Sequence, residues 1–173
     1  MSRHAFAITV LAAMLAPAAG ADAIDPCSLL SDAEKAELGL PKDSVPSRES
    51  QPGGVQSCTY QFRTPGAASD GMVSIILSQA VPERVLQLRG LQAKAREERT
   101  PAQQARGEYF EGQVMCKVAL VSQQETSQCI GASAQSVVAL AVSRPNLASE
   151  VTYPASQLRI IASLVSRVTS RGG

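Results

Sequence analysis

Glu108 and Glu111 flank Tyr109-Phe110, and the four residues sit between Gly107 and Gly112. Two carboxyl groups beside a phenol are the residue types that acid–base chemistry uses, one as proton donor and the other as base or nucleophile. With Tyr60, the residues Glu108, Tyr109 and Glu111 form the candidate pocket of this chain. The functional reading is a small site at the mouth of a strand. An ordinary loop-to-strand transition accounts for the same residues. Glu97-Glu98 stand among Lys94, Arg96, Arg99 and Arg106, and read as a solvated helix end.

Other chemistries lack their parts. The single histidine is His4, which leaves with the leader described below, so Ser-His-Asp and Cys-His arrangements have no usual base. The chain contains no Gly-x-Ser-x-Gly elbow, no phosphate-cradling glycine loop and no Gly-x-Gly-x-x-Gly turn. No catalytic, cofactor-binding or metal-ligating residue is assigned, and no cofactor is implied. Basic residues interleaved with aromatics, which a single-stranded nucleic-acid surface uses, are absent.

The cysteines carry a clearer message. Cys27, Cys58, Cys116 and Cys129 all follow the leader, and an even count in an exported chain implies a disulfide framework. Four cysteines allow three pairings. The pairs 27–58 and 116–129 are local and need no threading, and they are the expected ones. Each would restrict the unfolded chain by on the order of 3 kcal/mol. With no Cys-x-x-Cys and no mature histidine, a zinc site is disfavoured.

Residues 1–21 read as a secretory signal peptide. Arg3 and His4 open it, an uncharged apolar run covers 5–16, Pro17 breaks the run, and Ala19-Gly20-Ala21 offers the cleavage site. No cysteine lies at that site to accept a lipid, so no membrane anchor is expected after cleavage. Residues 22–173 are then a single globular α+β domain, periplasmic or secreted. The 16 Lys+Arg lose Arg3 with the leader, leaving 15 against 15 Asp+Glu. A neutral domain has no long-range field to draw nucleic acid or anionic lipid.

The elements that must hold these residues follow from local signals. Ser31-Asp32-Ala33-Glu34 is a capping box for a short helix that Gly39 and Pro41 end, with Leu30, Ala33 and Leu38 as its apolar contacts. Residues 42–54 read as loop. Alternation predicts a strand over 55–63, and 71–79 is a second strand, apolar on both faces. Val81, Val85, Leu88, Leu91 and Ala95 predict an amphipathic helix to about residue 99, in which Gly90 marks either close packing or a weak point. Residues 108–121 read as one strand, 123–127 as a turn, 129–130 as the start of the next strand, and 131–134 as loose. An apolar strand buried on both faces spans 137–143. From Pro154 the stripe Leu158, Ile161, Leu164, Val165 and Val168 predicts a core helix, with Arg159, Ser163, Arg167 and Arg171 outside it. Hairpin-like connections imply an antiparallel sheet packed by helices, an α/β sandwich with two disulfides.

The opening element Asp25-Pro26-Cys27-Ser28-Leu29-Leu30, followed by Ser31, Glu34 and Gly39 and later by Cys58 and Tyr60, resembles a family of small exported domains of unknown function. That family is best represented among actinobacterial lipoproteins. The resemblance covers about the first quarter of the mature chain. It implies an antiparallel α/β sandwich somewhat like the PsbP-type fold, and no activity. The chain departs from the family in lacking the lipid-anchor cysteine.

Two function classes remain. The first is an exported binding or interaction domain whose partner is another envelope protein or a small ligand, including the narrower case of an inhibitor or immunity protein for an envelope enzyme. The second is an envelope enzyme with a carboxylate/Tyr site. The absence of a mature histidine and the neutral charge favour the first, and the expectation is that the chain is not an enzyme.

Overall fold

The computed structural model describes residues 24–63, 70–81, 83, 85–90, 93, 107–121, 123–146 and 153–171. The leader, and the parts of the amphipathic stretch between 82 and 99 other than 83, 85–90 and 93, lie outside these residues.

Asp25 opens the described chain as a cap. Its Oδ1 accepts from Cys27 N at 2.9 Å and so organises the 3-10 turn Pro26–Ser28. Helix α1, Asp32–Glu37, starts with the full capping box: Glu34 N donates to Ser31 Oγ, and Ser31 N donates to Glu34 Oε2 at 2.8 Å. It ends where Leu40 N donates to Lys35 O and Gly39 N to Ala36 O, the paired bonds of a Schellman close. Leu30, Leu38 and Leu40 are buried; Ala33, expected to be an apolar contact, is exposed. A six-residue helix has too few turns to bury a stripe of its own, so the flanking leucines do it instead.

Seven antiparallel strands follow among the described residues: β1 Ser47–Gln51, β2 Val55–Arg63, β3 Asp70–Gln79, β4 Glu108–Glu111, β5 Val114–Val121, β6 Gln124–Ala132 and β7 Ser136–Pro145. Their spatial order is β1-β2-β3-β7-β6-β5-β4. Residues 83, 85–90 and 93 are helical (α2), and Gly90 has open space where a side chain would stand, so close packing does not explain it. Ala155–Arg171 is the closing helix α3. The α+β sandwich of an antiparallel sheet and helices is thus present.

Four boundaries differ from the sequence reading. β1 lies inside the expected loop, with every residue exposed, and pairs with β2 from Ser47↔Thr59 to Gln51↔Val55. It is held by backbone ladder bonds and buries nothing, so it leaves no hydrophobic pattern to read. The expected single strand over 108–121 breaks at Gly112-Gln113 into a tight hairpin. Gly112 has φ 58°, the left-handed first position that a two-residue turn of this kind requires. β6 begins at Gln124 and runs through Gly131-Ala132, so the turn before it is shorter than expected and the first half of the segment 131–134 is strand, while Ser133-Ala134 lie in the turn to β7. Finally, β7, expected to be buried on both faces, buries its apolar side chains on one, while β3 is apolar on both faces as expected and likewise buries its apolar side chains on one. Val73, Ile75 and Leu77 of β3 and Val138, Leu140 and Val142 of β7 are buried, while Met72 and Ile76 are exposed and Val137, Ala139 and Ala141 are half-buried.

The buried face is the core. Leu158, Ile160, Ile161, Leu164 and Val168 of α3 pack on it together with Leu29, Tyr60 and both cystines. Each such side chain contributes roughly 1.5–3 kcal/mol by leaving water. At Gly131 the helix comes so close that an added Cβ would stand 2.6 Å from Val165 Cγ2, which is why this strand position is a glycine.

Candidate functional site

Both cystines form as expected. Cys27 in the 3-10 turn is bonded to Cys58 in β2, with Cα atoms 5.1 Å apart. Cys116 of β5 is bonded to Cys129 of β6, its direct partner in register. No cysteine is free. Disulfides of this kind persist in oxidising compartments, and they point to an exported domain.

The opening turn and α1 are also clamped by charge. Arg167, expected on the solvent side of α3, is half-buried and reaches back to the start of the chain. Its Nη1 and Nη2 bond Glu34 Oε2 and Oε1 at 2.7 and 2.9 Å, and Nη1 also donates to Leu29 O. Burial pushes Glu34 up, but the Arg167 hydrogen bonds, those of the Ser31 backbone and hydroxyl, and the Arg167 charge outweigh it and hold the carboxyl at about 2, below its ordinary 4.5. One helical turn pair earlier, Arg159 pairs with Glu37.

The carboxylate candidates do not converge. In β4, Glu108 and Glu111 are three residues apart, and side chains in a strand alternate, so the two leave on opposite faces of the sheet. Glu108 stands opposite Lys117 on the face away from α3; Glu111 lies on the other face and is exposed. Tyr109 is half-buried, with its ring edge-on to Tyr153 at 5.2 Å between centroids. Tyr60 is 2% exposed, donates to Cys27 O at 3.4 Å and belongs to the core. Four strands separate β2 from β4, which at the usual spacing is about 24 Å.

The sequence reading missed a buried polar cluster. Glu125, placed in a turn, is 3% exposed in β6. Its Oε1 accepts from Arg144 Nε and Nη2 at 3.1 and 2.8 Å, and its Oε2 from Asn146 Nδ2 at 2.9 Å. Two residues on, the buried Ser127 hydroxyl has no hydrogen-bond partner among the described residues. Nothing local in Gln123–Ser127 signals this, because the partners come from the far end of β7.

Two further features lie at the surface. On the sheet face away from α3, Ile76, Ala139, Ile130, Met115 and Phe110 stand directly opposite one another, strand by strand from β3 to β4. Ile76 is 36% exposed, and Met72, two steps along the same face of β3 beyond the buried Ser74, is 37% exposed. Val85 and Leu88 of α2 border this face beside Ala132 and Gln113. On the helix side, α1 and the turn after it enclose an open groove of about 420 Å³, floored by Ala36, Leu40 and Pro41 and rimmed by Lys35 and Lys42. Among the described residues, no cluster of His, Cys, Asp and Glu could hold a metal ion, and no helix is long and apolar enough to cross a membrane.

No family model matches the chain, and no curated protein matches it. Among solved structures, the extracellular domain of PknH from Mycobacterium tuberculosis aligns over 87% of this chain and 100% of that chain, at a TM-score of 0.46 and 9% identity. At that distance nothing is carried from that domain to this one.

Proposed function

We propose that the chain is an exported interaction domain, periplasmic or secreted, that contacts another envelope protein through the sheet face turned away from α3. The observation that carries this reading is the pair Met72 and Ile76, exposed together beside a row of apolar side chains that crosses five strands. An apolar row on an open sheet face suits a protein partner, whereas catalysis wants a concave site with convergent polar groups. Glu108 and Glu111 leaving on opposite faces gives the enzyme alternative no such convergence. On this reading the protein is not an enzyme, needs no cofactor, binds no nucleic acid, and keeps no membrane anchor once residues 1–21 are removed.

The test is recovery from native envelope extracts with the exported protein, beside a Met72→Lys/Ile76→Lys variant of unchanged thermal stability. The expected result is a partner retained by the parent protein, lost by the variant, and able to rebind the parent protein when purified. Equal recovery by both proteins, or turnover of an envelope substrate by the parent protein, overturns the reading.

A further inference from the structure

Residues 22–173 contain no tryptophan, no histidine and two methionines, Met72 and Met115. All four cysteines are paired, and none is more than 7% exposed. With no free thiol, the two thioethers are the groups that a hydroperoxide oxidises most readily in this chain.

The two methionines stand in different surroundings. Met72 is 37% exposed on the open face of β3. Directly opposite it are Gln61 of β2 and Ser143 of β7, and Thr126 of β6 stands opposite Ser143 on the same face. From β2 to β6, Met72 is thus the one apolar side chain in a polar row. Met115 is half-buried and stands opposite Ile130 of β6 and Phe110 of β4, inside the apolar row. Solvent reaches Met72, and a sulfoxide oxygen formed there has the amide of Gln61 and the hydroxyl of Ser143 beside it as donor groups. At Met115 the same dipole would stand between hydrocarbon neighbours, where an unpaired polar group is costly.

We propose that Met72 is a reversible oxidation site for hydroperoxides, at which sulfoxide formation turns the row Gln61–Met72–Ser143–Thr126 wholly polar. A lone pair of the thioether sulfur attacks one peroxide oxygen. The S–O bond forms as the O–O bond breaks, and the hydroxide that leaves takes the proton of the transferred OH as water. Sulfur loses two electrons and the peroxide gains them. Reduction by methionine sulfoxide reductases, with a thiol pair as reductant, restores the thioether. Met72 belongs to the face proposed above for docking, so a role in switching docking off rests on that reading, whereas the oxidation site rests on exposure and register alone.

Hydrogen peroxide titration of the disulfide-bonded, exported protein tests it. Peptide mapping should show Met72 gaining one oxygen about tenfold faster than Met115. Protein oxidised at Met72 alone should keep the thermal stability of the parent protein and elute earlier from a hydrophobic-interaction column. Methionine sulfoxide reductases with their thiol reductant should restore its retention. Met72→Leu, which keeps the apolar volume without a sulfur, should hold its retention through the same peroxide treatment. Equal rates at the two methionines, unchanged or unrestored retention, unfolding on oxidation of Met72, or an equal loss of retention by Met72→Leu overturns the proposal. None of these readouts uses a partner, so failure of the oxidation site and failure of the docking face are told apart.

Discussion

Cys116 and Cys129 face each other directly across β5 and β6, with their Cα atoms 3.9 Å apart. The bond joins neighbouring strands beneath α3, whereas Cys27–Cys58 joins the opening turn to β2. The two should therefore fail differently. Replacing Cys116 and Cys129 with alanine should lower global stability by about 3 kcal/mol in denaturant unfolding. Replacing Cys27 and Cys58 should loosen the N-terminal turn and α1, seen as faster amide exchange there than in the sheet. Peptide mapping without reductant should yield only the 27–58 and 116–129 crosslinks.

Leu158 is fully buried in the first half of α3, against the sheet. Leu158→Ala should cost about 2–5 kcal/mol, the range for deleting a leucine side chain from a packed core. Denaturant unfolding at constant m-value measures it. A change below about 0.5 kcal/mol, the size usual for surface substitutions, would contradict the packing described.

Glu34 gives stability an acid limb. Its folded carboxyl is held at about 2, below the ordinary 4.5, so the ionised form is the one the fold favours. The stabilisation is therefore complete above the unfolded value and is lost as pH falls from about 4.5 towards about 2. Glu34→Gln should be less stable than the parent protein at neutral pH and should show a flatter loss of stability across that acid window. Thermal melts as a function of pH check both. Parallel curves for the two proteins would show that Glu34 is not the group responsible.

The leader should be cut after Ala21, at the Ala19-Gly20-Ala21 site that follows Pro17, leaving Asp22 as the first residue; use of the second candidate, Ala21-Asp22-Ala23, would start the chain at Ile24. N-terminal sequencing of exported protein reads this directly. A chain that still begins at Met1 would remove the basis for export.

Local chemistry was enough for several elements. The Ser31–Glu34 capping box, the stop at Gly39-Leu40, the alternation in β2 and the apolar stripe of α3 each depend on residues within a turn or two of one another, and each is where its spacing puts it. Both cystines were also legible, because Cys116 and Cys129 lie nearly symmetric about a polar turn and an antiparallel register then sets them opposite. Three other features, β1, Arg167 and Glu125, depended on partners distant in the chain. β1 is a strand only because β2 offers its backbone groups, and an edge that buries nothing has no apolar rhythm. Glu108 and Glu111 looked like a pair because three positions in sequence are close; the two-residue period of a strand sends them apart. Arg167 and Glu125 found their partners 133 and 19 residues away, so their roles as clamp and buried anchor arise from packing rather than from any neighbour in the chain. Whether an apolar strand buries one face or both is decided in the same way, by how many layers the fold places over it. Here α3 covers one face of β5, β6 and β7, the opening Pro26–Ser28 turn packs on the same face of β3, and Met72 and Ile76 on the other face of β3 remain exposed.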